Sequence, residues 1–185
     1  MVKIILIIHG VYLWLVALPI LANGSDSTPP VTQAQISAPK AAQKPSSANY
    51  EAGLTAYDAG DYGKARHIWK PLAETGDVSA QRGMGKMYSK GQGVDRDFTA
   101  AHKWYRPAAE KGDAESQYRL AVGYAYGLGV KKDEAAAVTW LRKAATNGQK
   151  RAQKSLAKAY EDGLFGLPRD PAQAKYWYDK ANSGS

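Results

Sequence analysis

Met84 to Gly112 reads MGKMYSKGQGVDRDFTAAHKWYRPAAEKG, and 36 residues later Leu120 to Gly148 reads LAVGYAYGLGVKKDEAAAVTWLRKAATNG. The same letters return at the same places: a Tyr, a Gly-x-Gly-Val turn, an Asp, an Ala, a Trp, an Ala-Ala pair and a closing Gly. Working outward, Tyr88, Tyr124 and Tyr160 are 36 apart, as are Gly76, Gly112, Gly148 and Gly184. Trp104, Trp140 and Trp177 are spaced 36 and 37. The extra residue falls in the last loop, where Leu164-Phe165-Gly166-Leu167 replaces Gln92-Gly93-Val94 and Leu128-Gly129-Val130. A fixed period between about 20 and 50 residues marks a stacked array, in which each unit buries its apolar face only against its neighbours.

Within a unit the apolar spacing is helical. Ala80, Met84, Met87 and Tyr88 fall on one face, and so do Ala101, Trp104, Tyr105, Ala108 and Ala109. Each unit is therefore predicted to be two helices. Gly91 and Gly127 stand where a helix ends in the left-handed conformation, which a Cβ disfavours. Asp97, Asp133 and Asp170 stand where a carboxylate accepts the free N–H groups of the second helix's first turn. Gly85, Ala121 and Ala157 are equivalent, as are Ala101, Ala137 and Ala174. Small residues there let helices approach closely while aromatics fill the gaps. On this reading Trp104 and Trp140 are core residues, and truncating either to alanine is expected to cost about 3–5 kcal/mol.

The pattern of Met84, Gly85, Tyr88, Gly91, Gly93, Val94, Asp97, Ala101, Trp104, Tyr105, Ala108, Ala109 and Gly112 resembles the Sel-one-like repeat, a relative of the tetratricopeptide repeat. It recurs from Leu120 to Gly148 and, less faithfully, from Leu156 to Gly184. The resemblance implies an all-α fold, an α-solenoid of stacked antiparallel helix pairs with about four repeats over 49–185. These are a cap at 49–77, then 78–113, 114–149 and 150–185. The first unit departs from the pattern, because a tight Ala59-Gly60-Asp61-Tyr62 replaces the Gly-x-Gly-Val turn, as in a plain tetratricopeptide unit. End units of arrays lose one neighbour and are often atypical. Cysteine-rich secreted members carry a bridge in each repeat. This chain has no cysteine, so the penicillin-binding or β-lactam-hydrolysing roles proposed for that subgroup do not carry over.

Residues 1–24 combine Lys3, an apolar run from Ile4 to Ala22, Pro19 near its end and the small residues Ala22 and Gly24. These are the features of a cleaved secretory signal. The alternative is an uncleaved anchor, since 19 residues of helix would span about 28 Å. Residues 25–48 hold four prolines and, as large apolar residues, only Val31 and Ile36. Such a stretch offers too little apolar surface to offset ordering and is expected to be a tether. The expected location is periplasmic or secreted, with membrane attachment only if the first segment is retained.

Of 185 residues, 44% are hydrophobic, and the formal charge is +8. That suits one domain with one core. Without cysteine there are no disulfides, thiolate metal sites or cysteine nucleophiles. His67 and His102 occupy non-equivalent positions and are read as surface residues. Asp97, Asp133 and Asp170 recur one per unit and are read as helix caps, not a metal row. No H-E-x-x-H, G-x-S-x-G or phosphate loop is present. The chain is therefore read as non-enzymatic, with no cofactor or metal.

Charge is uneven along the array, being −2 over 49–77 and positive in every later unit. Arg82, Lys86 and Lys90 lie at i, i+4 and i+8, and Lys154 and Lys158 occupy equivalent places in the last unit. By the resemblance, first helices line a concave surface, and these residues would form a positive groove there; a solvated face is the alternative. Tyr118 and Tyr126 take positions held by Arg82 and Lys90 one unit earlier and are expected at the surface as ligand candidates. The favoured partner is a protein or peptide on the concave face of an envelope adaptor. The alternative is an anionic envelope polymer, a glycan or polysaccharide, bound in support of an enzyme. Nucleic acid is not expected, because the charge is modest and the export signal points elsewhere.

Overall fold

The computed structural model describes residues 47–183. The export signal read in 1–24, and all of the tether except its last two residues, lie outside them. The described residues form eight helices and no strand. In chain order these are α1 (Ser47–Asp58), α2 (Tyr62–Glu74), α3 (Val78–Lys90), α4 (Phe98–Glu110), α5 (Ala114–Tyr126), α6 (Glu134–Thr146), α7 (Lys150–Asp162) and α8 (Pro171–Ser183). Each helix packs on the next in the chain, which is the contact pattern of an α-solenoid of helix pairs. No described helix is long and apolar enough to cross a membrane.

The turn inside each pair follows from its letters. Gly91, Gly127 and Gly163 end α3, α5 and α7 in the left-handed region, at φ 69°, 71° and 71°. The loop then folds back, and the N–H groups of Asp97, Asp133 and Asp170 donate to the carbonyls of Tyr88, Tyr124 and Tyr160 at 3.0, 2.9 and 2.9 Å. Each of those aspartates also caps the helix that follows. Asp97 accepts from the N–H groups of Thr99 and Ala100, Asp133 from Ala136, and Asp170 from Ala172 and Gln173.

The joint between pairs rests on a residue type the periodic reading passed over. Gln81, Gln117 and Gln153 are buried, 36 residues apart, and each side-chain amide donates at 3.0 Å to the carbonyl of Ala73, Ala109 or Ala145 near the end of the preceding helix. Each of those carbonyls also accepts the N–H of Gly76, Gly112 or Gly148 in the turn that follows, so the glutamine occupies a second acceptor site and ties the end of one helix to the start of the next.

The core also corrects the reading of the tryptophans. Trp104, Trp140 and Trp177 are only half-buried. In the two middle units the buried position is one residue further on, at Tyr105 and Leu141, each 5% exposed, and in the cap it is Trp69, after Ile68, at 1%, whereas Tyr178, after Trp177, is half-buried. A helix turns about 100° per residue, so of two adjacent aromatics only one can face the layer beneath. The ring of Tyr105 fills the space above Gly85, where a Cβ would come within 2.6 Å of it. In the cap, Trp69 stacks on Tyr50 and packs on Tyr57, with ring centroids 5.6 and 5.4 Å apart. Its indole N–H donates to the Tyr50 carbonyl at 3.1 Å.

Candidate functional site

Residues from all four first helices, Tyr50 and Leu54 of α1, Arg82 and Lys90 of α3, Glu115 and Arg119 of α5 and Arg151 of α7, line one hollow of about 440 Å³. The first helices thus turn toward a common side. Two further hollows follow it along the array, the first bordering it and the second bordering the first. One of about 160 Å³ lies between α3, α4 and α5 and shares Lys86, Lys90 and Tyr105 with the first. The other, of about 310 Å³, lies between α5, α6 and α7 and shares Val122 with the second. In succession they form a groove along the array, cationic toward the cap and apolar toward the last unit.

The seven residues singled out from the sequence divide between its ends. Arg82, Lys86 and Lys90 line the cationic hollow. Tyr118, Tyr126, Lys154 and Lys158 line the apolar one. Their chemical states differ. Arg82 is ion-paired with Asp113, whose other carboxylate oxygen caps α5 through the N–H of Ser116. Arg119 is paired with Glu115 at 2.7 Å. Lys158 is held by Asp162 and Glu161 at 3.1 and 3.2 Å, and these hydrogen bonds, Asp162 first, raise its pKa. Lys86 sits over the ring of Tyr57, 4.1 Å from its centroid. Lys90, Arg151 and Lys154 make no ion pair among the described residues. The positive groove read from sequence is therefore carried by fewer cations than the letters suggest, because Asp113, at the far end of the same unit, pairs with Arg82, and neighbours within a turn pair with Lys158.

Tyr126 is 68% exposed, but Tyr118 is half-buried against the α6–α7 core. It both lines the apolar hollow and packs against that core.

His102 is a second correction. It is buried at 7% exposure, set edge-on against the Tyr124 ring with centroids 5.1 Å apart, and its Nε2 has no hydrogen-bond partner. Burial, with a smaller contribution from the Arg106 charge, lowers its pKa to about 4, so it is neutral at pH 7. It faces Gly123, where a Cβ would stand 3.1 Å from its Nδ1. The imidazole thus makes a close contact with α5 at Gly123 and Tyr124, which a count of equivalent positions does not reveal. His67 remains exposed on α2. Among the described residues, no three His, Asp or Glu side chains are grouped to hold a metal ion.

The residues the sequence reading missed lie in the last loop. Leu164 is 40% exposed, and Phe165 has φ 54°, the one non-glycine residue with positive φ among those described. Both line the apolar hollow. The available signal was the alignment itself, since Phe165 stands in the register of Gly93 and Gly129.

Comparison with known proteins agrees with this architecture. The family model of the Sel1 repeat matches three times, at residues 78–113, 114–149 and 150–184. Among solved structures, a Sel1 repeat protein from Oxalobacter formigenes is 32% identical with a TM-score of 0.68, over 72% of this chain and 55% of that one. A protective antigen of uropathogenic Escherichia coli displaying an SLR fold is 38% identical with a TM-score of 0.69, over 75% of this chain and 30% of that one. The chain thus spans about half of the first relative and under a third of the second. No curated protein matches.

Proposed function

The chain belongs to the Sel1 repeat family, whose members generally serve as protein-interaction scaffolds, and from that premise we propose that it is a non-catalytic adaptor of the cell envelope. Its partner is a protein or peptide segment lying along the groove of the first helices. The observation that carries this reading is the convergence of α1, α3, α5 and α7 on neighbouring hollows, with unpaired cations and the exposed Tyr126 on the same side. Aromatic anchors and complementary charge are what a specific protein contact uses. Export rests on the signal read in residues 1–24.

Lys90, Arg151 and Lys154, unpaired on one side, favour a second reading in which an anionic glycan or polysaccharide is bound. Ionic strength separates the two. Binding through distributed cations weakens steeply as salt rises, whereas an anchor in an apolar hollow keeps most of its affinity.

The test is photocrosslinking in the native cell, with a photoreactive residue in place of Lys90 or Tyr126 on the groove and of Arg66 or Lys103 on the second helices. A protein attached from the groove positions and not from the others supports the adaptor. Attachment only from the second-helix positions, or of glycan alone, rejects it.

A further inference from the structure

The apolar hollow between α5, α6 and α7 has a wall found in neither of the two earlier repeats. In those, the second glycine of the turn cannot carry a side chain. A Cβ on Gly129 would stand 2.3 Å from the backbone carbon and oxygen of Phe98, and one on Gly93 would stand 2.7 Å from the Tyr62 Cβ. The last turn is one residue longer, and Phe165 takes the left-handed conformation that glycine holds in the others. A bulky residue rarely adopts that conformation, and such strain concentrates at functional positions. A flanking glycine, Gly166, already has φ 74°, and a Cβ there would meet nothing within 4 Å, so the loop has no shortage of backbone freedom. What Phe165 adds is an aromatic residue lining the hollow, together with the exposed Leu164 and Tyr126.

The hollow is about 310 Å³, at the small end of the roughly 300–1,000 Å³ typical of ligand pockets. Its floor is Ala121, Ala125, Ala137 and Leu141, and Lys154 and Ser155 border it. Lys158, on the same border, is already neutralised by Glu161 and Asp162. Lys154 forms no ion pair among the described residues. One apolar cavity thus lies beside one unsatisfied ammonium. Val122 borders both this cavity and the neighbouring hollow, so a bound segment anchored here lies beside the rest of the groove.

We propose that this hollow is the anchor site for a partner peptide in which a large apolar side chain lies next to an acidic residue. The apolar side chain fills the space between Tyr118, Tyr126 and Phe165, and the carboxylate pairs with Lys154. The inference rests on the groove reading above and specifies what the groove selects. Phe165 is the specificity-determining residue, and Lys154 sets the requirement for an acid.

The probe is the neutral-ended peptide acetyl-Gly-Phe-Asp-Gly-amide, titrated into the full chain and followed by NMR at the amides of Ala125, Tyr126 and Leu164. The controls carry Asn for Asp or Ala for Phe. The expected result is a saturable shift at those amides, with affinity at least tenfold lower for either control. Lys154→Met should erase the preference for Asp over Asn. Phe165→Gly, which restores the residue used in the earlier turns, should weaken the probe at least tenfold while leaving the melting temperature unchanged or higher. Equal affinity for all three peptides overturns the proposal. So does a Phe165→Gly protein that melts lower and binds as before, because Phe165 then serves the fold. Octanoate binding as tightly as the peptide would mark a small-acid site and overturn it too. Shifts confined to Arg82, Lys90 and Arg119 would sink the anchor while leaving the groove reading intact, and that reading answers to crosslinking alone.

Discussion

The indole of Trp69 lies directly against the backbone of Gly83, so closely that a Cβ there would stand 2.8 Å from ring carbon Cε3. On its other side, a Cβ at Gly53 would come within 2.3 Å of the indole nitrogen. One ring of α2 is thus clamped between two glycines, one from α1 and one from α3, and it joins the cap to the first full repeat. Trp69→Ala should lower unfolding free energy by about 3–5 kcal/mol. Trp104→Ala, at a half-buried position, should cost clearly less. Urea unfolding of both variants measures the difference, and equal losses would contradict the assignment of the core.

The turns between helices stack by a similar contact. Gly129→Ala should destabilise by more than Gly166→Ala, although both residues have positive φ, at 73° and 74°. At Gly166 only the left-handed penalty applies, about 1 kcal/mol. At Gly129 the new Cβ would also meet the Phe98 backbone, which has no room to yield. Thermal melts of the two proteins give the comparison.

Asp113 does two things at once, capping α5 and pairing with Arg82. Asp113→Asn keeps a capping oxygen and loses the charge, whereas Asp113→Ala loses both. The alanine variant should therefore be the less stable by about 0.5–2 kcal/mol, the usual range for a lost cap. Arg82→Glu would set two carboxylates together and should also destabilise. Arg82 is for this reason a poor residue with which to probe binding.

His102 gives a pH signature. Its pKa is about 4 when folded, against an ordinary value near 6.5. Between those values the unfolded chain binds more protons than the folded one, so stability rises with pH. The stability tied to the neutral imidazole is complete above about pH 6.5 and is lost as pH falls toward 4, with a slope of at most about 1.4 kcal/mol per pH unit. Unfolding by urea at pH 7 and pH 5 should show this loss, and His102→Gln should remove that part of it. An unchanged pH dependence in the variant would show that His102 is not the group responsible.

The helix pairs were legible because a repeat writes the same constraint several times. The left-handed Gly91 and Gly127 and the capping Asp97 and Asp133 each answer a backbone need that recurs every 36 residues. Gln81, Gln117 and Gln153 recur just as regularly, yet glutamine is usually a surface residue, and their role as buried donors shows only when the helices are packed. The choice between Trp104 and Tyr105 depends on helix rotation, which spacing alone leaves open by one residue. The groove was harder still. Lysine and arginine positions could be aligned, but whether each charge is free depends on a partner about a turn away or at the far end of the unit, as with Lys158 and Asp162 or Arg82 and Asp113. Phe165 escaped because its meaning is a departure from the repeat, visible only once the backbone shows glycine's conformation held by an aromatic.

An adaptor role requires that the groove of the first helices be the surface that holds a partner. The most direct measurement replaces Lys90, Arg151 and Lys154, the groove cations without an ion pair among the described residues, together with Glu, and separately Lys64, Arg66 and Lys103 on the second helices, and compares recovery of the partner crosslinked from Tyr126 in native cells. Loss of recovery in the groove variant alone, with melting temperatures unchanged, is the predicted result. Full recovery from the groove variant, or equal loss from both, would contradict it.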